Sequence, residues 1–261
     1  MNKLLSRSDW LVYGAVSVFA AATIIAASPA WADDDDDDDD EIEFEEAQVL
    51  LQLNDTDGDL GFHARIDGEP WKRVIIESPN EKILFDLRLR RALRRQGLTE
   101  FSFESAEPTF DELDPDVFFR RFPEGDYEIE GKGFEGVEYE SVSTLSHLIP
   151  AAPDNLVVSG VPAPADCDGV IPAVAAPIVI SWDEVDSHHD ELGRAGDVEV
   201  DSYEVAVEAE TVEYTINVEA DVTEVTLAAG AIPSGEEVKY QVLVREAEGN
   251  ESSSESCFIA P

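Results

Sequence analysis

The sequence predicts a mainly β protein made of two β-sandwich-like domains, the first carrying one short helix. Three observations support this. From residue 47 onward, apolar residues come in short runs that alternate with polar ones, the period of a strand with one buried face. Gly, Pro, Asn and Asp clusters separate these runs at the spacing of tight turns. A helical period with a helix-start signal appears at a single place, after Asp114.

The first 32 residues predict an address rather than a fold. Lys3 and Arg7 precede a nearly uncharged apolar run, Leu11 to Ala27, and Ala30-Trp31-Ala32 is the small-x-small pattern of signal-peptidase cleavage. The run is shorter than the roughly 20 apolar residues a membrane helix needs, so no stable span is expected after cleavage. The product is expected to be secreted or periplasmic, where disulfides persist.

Charge is the unusual feature of the composition. The chain has 59 acidic and 17 basic residues, a formal net charge of −42. This disfavours nucleic acid and anionic membranes as partners, because binding them depends on basic groups that neutralise phosphate. Residues 33–46 open with eight aspartates, Asp33 to Asp40, and hold twelve carboxylates and no base. Such a block predicts a disordered, solvated acidic arm.

The expected strands of the first domain, residues 47–150, are Ala47–Asn54, Gly61–Asp67, Trp71–Glu77, Lys82–Leu89, Thr99–Glu104, Asp126–Gly131 and Glu138–His147. Turns such as Asp67-Gly68 and Pro79-Asn80 separate them. Asp114-Pro115 supplies a cap and a first-turn proline, and Val117, Phe118, Phe119 and Phe122 give the apolar face of a short helix that ends at Pro123-Glu124-Gly125.

Three blocks carry a resemblance: "NDTDGDLGFHARIDGEPWKRVIIESPNEKILFDL", "GLTEFSFESAEPTFDEL" and "FFRRFPEGDYEIEGKGFEGVEYESVSTLSHLIPAAPDN". Together they are similar to the N-terminal domain of a family of secreted bacterial proteins that pair it with a fibronectin type III domain. The resemblance spans nearly all of residues 47–155 and implies an architecture, not an activity. Residues 151–261 fit the second domain. "ISWDEV" resembles the strand whose tryptophan, here Trp182, fills the space between the sheets. "DSYEVAVE" resembles the next core strand, with Tyr203 pointing inward, and Gly235 to Phe258 the last two strands around a Gly-Asn turn. Val238 departs from the family, which usually has a corner tyrosine there; Tyr240 is close by. Cys167 and Cys257 are the only cysteines, and an even count in an exported chain predicts a disulfide between them.

Three local features could carry chemistry. Asp55, Asp57 and Asp59 place oxygen ligands at alternate positions, as a calcium loop does. Leu60 replaces the expected glycine, however, and Ile66 the bidentate glutamate, so a polar turn competes with a metal site. Arg88, Arg90, Arg91, Arg94 and Arg95 form a basic segment in an acidic chain. It could recognise carboxylate or sulfate in forked geometry, clamp the acidic arm, or be a solvated loop. Ser187-His188-His189-Asp190-Glu191 reads as an exposed loop, because adjacent histidines seldom chelate one metal together. His63 and His147 give no signal of their own.

The expected function is that of a secreted, non-catalytic binding or structural protein that engages an extracellular protein or glycan. No Gly-x-Ser-x-Gly elbow, His-Glu-x-x-His pair or phosphate loop is present. The alternatives are a calcium-responsive acidic protein and, less favoured, a hydrolase acting on an extracellular polymer. No cofactor is expected unless Ca²⁺ is bound.

Overall fold

Strand pairing organises the chain into three sheets. The computed structural model describes residues 41–164, 167 and 169–261. The expected leader and residues 33–40 of the expected arm lie outside them. The strands of the first half are β1 (Glu41–Ile42), β2 (Glu46–Asn54), β3 (Asp59–Trp71), β4 (Arg73–Ser78), β5 (Lys82–Arg88), β6 (Leu98–Glu104), β7 (Gly125–Lys132) and β8 (Glu138–Leu145). Two helices interrupt them, α1 (Arg91–Gln96) and α2 (Pro115–Arg121). The second half comprises β9 (Val157–Val158), β10 (Val161–Pro162), β11 (Val179–Ser181), β12 (Val200–Ala209), β13 (Val212–Glu219), β14 (Glu224–Thr226), β15 (Glu237–Glu246) and β16 (Glu251–Ile259).

In the first half, a five-stranded sheet in the order β1-β8-β7-β4-β5 faces β2, β3 and β6. Their alternating inward residues form one core, including Leu51, Leu53, Phe62, Ile66, Val74, Ile76, Tyr127 and Ile129. Phe118 of α2 closes its rim, and Phe122 stacks on Phe62 with ring centroids 4.4 Å apart. The helix starts where expected: the Asp114 side chain accepts a hydrogen bond from the Asp116 amide and Pro115 takes the first helical position.

The second half is a separate sandwich around Trp182, Tyr203, Val205, Val242 and Phe258. Strands β9, β11 and β14 lie in one sheet and β13, β12, β15 and β16 in the other, the fibronectin type III-like order that the resemblance implied. Trp182 packs on Tyr203 at 5.3 Å, and the Tyr203 hydroxyl accepts from the Val185 amide. Tyr240 is buried in the same core, and its hydroxyl makes no hydrogen bond among the described residues, so they show no tyrosine corner in place of the one missing at Val238. Cys167 and Cys257 form the expected disulfide, with Cα atoms 5.9 Å apart and 90 residues between them in sequence.

Four features differ from the expectations. Residues 41–46 are not part of a solvated arm: β1 pairs with β8, and Phe44 is buried, stacked on Tyr139 at 4.6 Å, so one large aromatic outweighs four flanking carboxylates that still reach water. The Asp67-Gly68 pair does not end a strand; it lies in a register shift within β3, which runs on to Trp71. The first half has two helices rather than one, since the arginine-rich segment folds as α1. Finally, the two sandwiches share a sheet. Strand β16 pairs in parallel with β2 through Glu251↔Gln52, Leu53↔Ser252 and Asn54↔Ser253, making one seven-stranded sheet in the order β13-β12-β15-β16-β2-β3-β6.

That shared seam explains why a polar stretch is buried. Glu246, Asn250, Glu251, Ser252 and Ser253 are all buried, yet each has hydrogen-bond partners. The Asn250 side chain accepts from the Leu51 amide and donates to the carbonyls of Ser146 and Leu148, sewing the turn between β15 and β16 to the first half. Gly249 closes this turn at φ 106, and an added Cβ would collide with the Gln48 side chain.

Candidate functional site

The arginine segment follows directly from the β4–β5 hairpin. After β5, Leu89 turns into the core and its amide donates to the Lys72 carbonyl, which ties the entry to α1 against the start of β4. Gly97 ends α1 at φ 83, where a side chain would strike Pro70 and Phe134. Between these anchors α1 buries nothing of its own. Arg90, Arg91, Arg94 and Arg95 are all exposed.

Register aligns the remaining cations. Arg88 stands opposite Arg73, Arg73 opposite Lys132, and Lys132 opposite Glu138. One end of the five-stranded sheet therefore carries the row Arg88, Arg73, Lys132, Glu138 across four neighbouring strands, with Glu41 of β1 fifth. Like charges directly opposite each other on strands destabilise a sheet. Beside this row lies a groove of about 360 Å³, lined by Lys72, Arg73, Arg88, Arg94, Lys132 and the 133–138 turn.

Few acids answer these cations. Asp86 accepts two parallel bonds from Arg73, at 2.8 and 2.9 Å, and a contact from Arg88 at 3.2 Å. The hydrogen bonds from Arg73 and then Arg88 hold its carboxyl well below the usual range, so it remains ionised. Lys132 pairs with Glu138, and the Lys72 ammonium sits 3.7 Å above the Phe134 ring. Among the described residues, Arg90, Arg91, Arg94 and Arg95 make no ion pair. Eight of the chain's 17 basic residues, namely these four with Lys72, Arg73, Arg88 and Lys132, thus gather at this end of the sheet. An exposed set of guanidinium and ammonium donors is suited to carboxylate, sulfate or another oxyanion.

The expected metal residues are arranged differently. Asp55 and Asp57 lie in the turn before β3, where Asn54 accepts from the amides of Thr56 and Asp57. Asp55 points to His189 of the second half, with Oδ1 3.1 Å from Nε2. Asp59 turns the other way, into β3. Burial, followed by Glu107 and Asp57, pushes its carboxyl up to about 6, and its Oδ1 has no hydrogen-bond partner among the described residues. The three do not converge, and no group of three or more His, Cys, Asp or Glu among the described residues is arranged to hold a metal ion. The His188-His189 loop docks on the first half: His189 Nδ1 accepts from the amides of Glu191 and Leu192 while Nε2 faces Asp55. A cavity of about 610 Å³ beside this loop has seven carboxylate residues, among them Asp55, Asp183 and Glu184, in its lining with His188 and His189.

Sequence reasoning singled out the five arginines but missed Lys72, Arg73, Lys132 and Phe134. Only strand register brings Lys72, Arg73 and Lys132 to the same groove, with Phe134 under the Lys72 ammonium, from positions up to 62 apart in sequence. The available signal was the alternation within "WKRVIIES", which puts Arg73 on the face opposite the buried Val74.

No protein-family model matches the chain, and no curated protein matches it. Among solved structures, the FN1-FN3 domains of chicken CNTN1 align with it over 84% of its length at 9% identity and a TM-score of 0.33, and the chain spans 64% of that one. A likeness this distant carries no functional argument.

Proposed function

We propose that this is a secreted or periplasmic, non-catalytic binding and structural protein of two domains, 47–150 and 151–261. Its first domain recognises an extracellular protein or glycan rich in carboxylate or sulfate. The observation that carries this reading is the concentration of cations at and beside the groove of a chain with net charge −42, four of which, Arg90, Arg91, Arg94 and Arg95, are exposed and make no ion pair among the described residues. Strand register sets Arg88, Arg73 and Lys132 side by side across three strands, where Asp86 and Glu138 pair with them, and places the four unpaired α1-segment arginines next to this row. The disulfide supports an oxidising compartment, and no helix among the described residues is long and apolar enough to cross a membrane. The second domain acts as a spacer, held rigidly to the first by the shared sheet.

The test is binding to immobilised dextran sulfate and to immobilised polyglutamate, with the parent chain compared to one in which Arg88, Arg90, Arg91, Arg94 and Arg95 are serine. Salt-sensitive retention that disappears with the arginines is the expected result. Equal retention of both chains would overturn the reading. A thermal midpoint raised by calcium but not magnesium would point instead to the calcium-responsive alternative.

A further inference from the structure

We propose that β13 is a docking edge for a second copy of this chain, the two β13 strands pairing antiparallel about Thr215 and joining their seven-stranded sheets into one. Three observations support it.

The first is that β13 leaves a regular edge open. It ends the sheet order β13-β12-β15-β16-β2-β3-β6 and pairs with β12 from Ser202↔Glu219 to Ala209↔Val212 without a register shift. The two-residue turn Glu210-Thr211 makes Ala209 and Val212 exchange hydrogen bonds, and bonding direction alternates from there. Glu213, Thr215 and Asn217 therefore aim both N–H and C=O away from β12, and among the described residues no other backbone group bonds to them. The other sheet ends are guarded in familiar ways. Strands β1, β10 and β14 are two or three residues long, and β5 and β6 each carry a register shift against their neighbour.

The second is an unfinished apolar face. Along β13, Val212, Tyr214, Ile216 and Val218 alternate with the exposed Glu213, Thr215, Asn217 and Glu219. Tyr214, Ile216 and Val218 pack on the second core yet stay only partly buried. A second β13 alongside covers them with the same residues, Tyr214 beside Ile216 and Val212 beside Val218, and aromatic–β-branched pairs of this kind stabilise a sheet.

The third is a register that complements itself. Centred on Thr215, the pairing sets Thr215 opposite its counterpart, Glu213 opposite Asn217 and Glu219 opposite Thr211, so no carboxylate directly faces another. The outward-aimed groups of Glu213, Thr215 and Asn217 meet one another in this register, which gives about six backbone hydrogen bonds. Moving the centre to Ile216 would set Glu213 against Glu219, a like-charge pair, and moving it to Tyr214 would run Asn217 into the Glu210-Thr211 turn. The net charge of −42 opposes the contact at long range, so association strengthens as salt is added.

Strand β13 and the strands of the first half lie at opposite ends of the seven-stranded sheet, so the pairing leaves the basic groove uncovered and yields a molecule with two of them. On a repeating polyanion this raises retention without any new contact; that consequence alone rests on the groove being an anion site.

The experiment is sedimentation equilibrium of the exported chain over a concentration series, at low salt and at about 1 M salt, where charges farther apart than ~3 Å are largely screened. The parent is compared with Thr215→Pro, Thr215→Glu and Asn217→Lys. Proline removes an N–H that β12 does not use, so the strand keeps its place while the edge is blocked. Glutamate keeps that N–H and brings two carboxylates face to face. The expected result is a parent dimer that tightens with salt and associates at least about tenfold more weakly in both Thr215 variants. Asn217→Lys, whose lysine meets Glu213 of the second copy, should tighten the dimer at low salt and lose that gain at high salt. Parent and Asn217→Lys chains that both stay monomeric throughout, or a dimer indifferent to both Thr215 changes, would overturn the proposal.

Discussion

Two arginine clusters serve opposite purposes in this molecule. At the seam between the halves, Arg65 and Arg245 converge on Glu251, whose side chain is only 1% exposed, with contacts of 2.9 and 2.6 Å. At the far end of the five-stranded sheet, Arg90, Arg91, Arg94 and Arg95 stand in water without a partner among the described residues. In the first cluster, cations satisfy a buried acid at the point where β16 joins β2, so their role is to make a parallel junction possible. In the second, the fold keeps cations close together and leaves them open. Arginine in an acidic protein is therefore informative only once its partners are known.

The comparison can be broken most forcefully at Glu251. Replacing it with alanine strands two partly buried guanidiniums at the seam, and loss of one partner of a buried pair costs about 3–5 kcal/mol. Denaturant unfolding should show that loss in the Glu251→Ala chain. Serine at Arg90, Arg91, Arg94 and Arg95 should do the reverse, lowering polyanion affinity at least about tenfold, close to 1.4 kcal/mol. The midpoint of unfolding should barely move, because exposed charges contribute little to stability.

A smaller effect is expected at Asp59, close to the seam. Its folded pKa of about 6 lies above the ordinary value of 3.8, so the unfolded chain ionises more readily than the folded one. Stability from this group is present below pH 4 and is lost as pH rises toward 6. The Asp59→Asn chain should lack this loss and be more stable than the parent above pH 6, by on the order of 1 kcal/mol once partial exposure is allowed for. Stability curves at pH 4 and pH 7 check it; a parent that gains stability over that interval relative to the variant would refute the assignment. The smallest expected change follows Asp86→Asn, which frees Arg73 and Arg88. Polyanion affinity should rise a few-fold, and the gain should fade as salt is added.

Legibility differed between the fold and the site. Alternation exposed nearly every strand of the first half, and the cap at Asp114 with Pro115 located α2, because both signals are written in neighbouring residues. The seam was hidden for the opposite reason. "GNESSSES" looks like solvent-facing polar sequence, yet Asn250, Ser252 and Ser253 are buried against partners about 100 to 200 residues away. Phe44 was overlooked because the charge around it dominated the local pattern, although one face of the chain was sufficient to bury it.

By itself, the sequence determined that the chain is mainly β, that Trp182 and Tyr203 centre a second sandwich, that Cys167 and Cys257 pair, and that cations cluster after β5. The place of Trp182 is what the fibronectin type III resemblance implied; the others follow from local periodicity and composition, which act over a few residues or on the chain as a whole. Tertiary structure alone decided that β16 joins β2 in parallel, that Lys132 and Arg73 stand beside Arg88, and that Glu41 of β1 lies at the same end of the sheet. Each of these depends on strand register and sheet order, which arise when distant segments bury their apolar faces together, and no stretch of neighbouring residues records which partner each will meet.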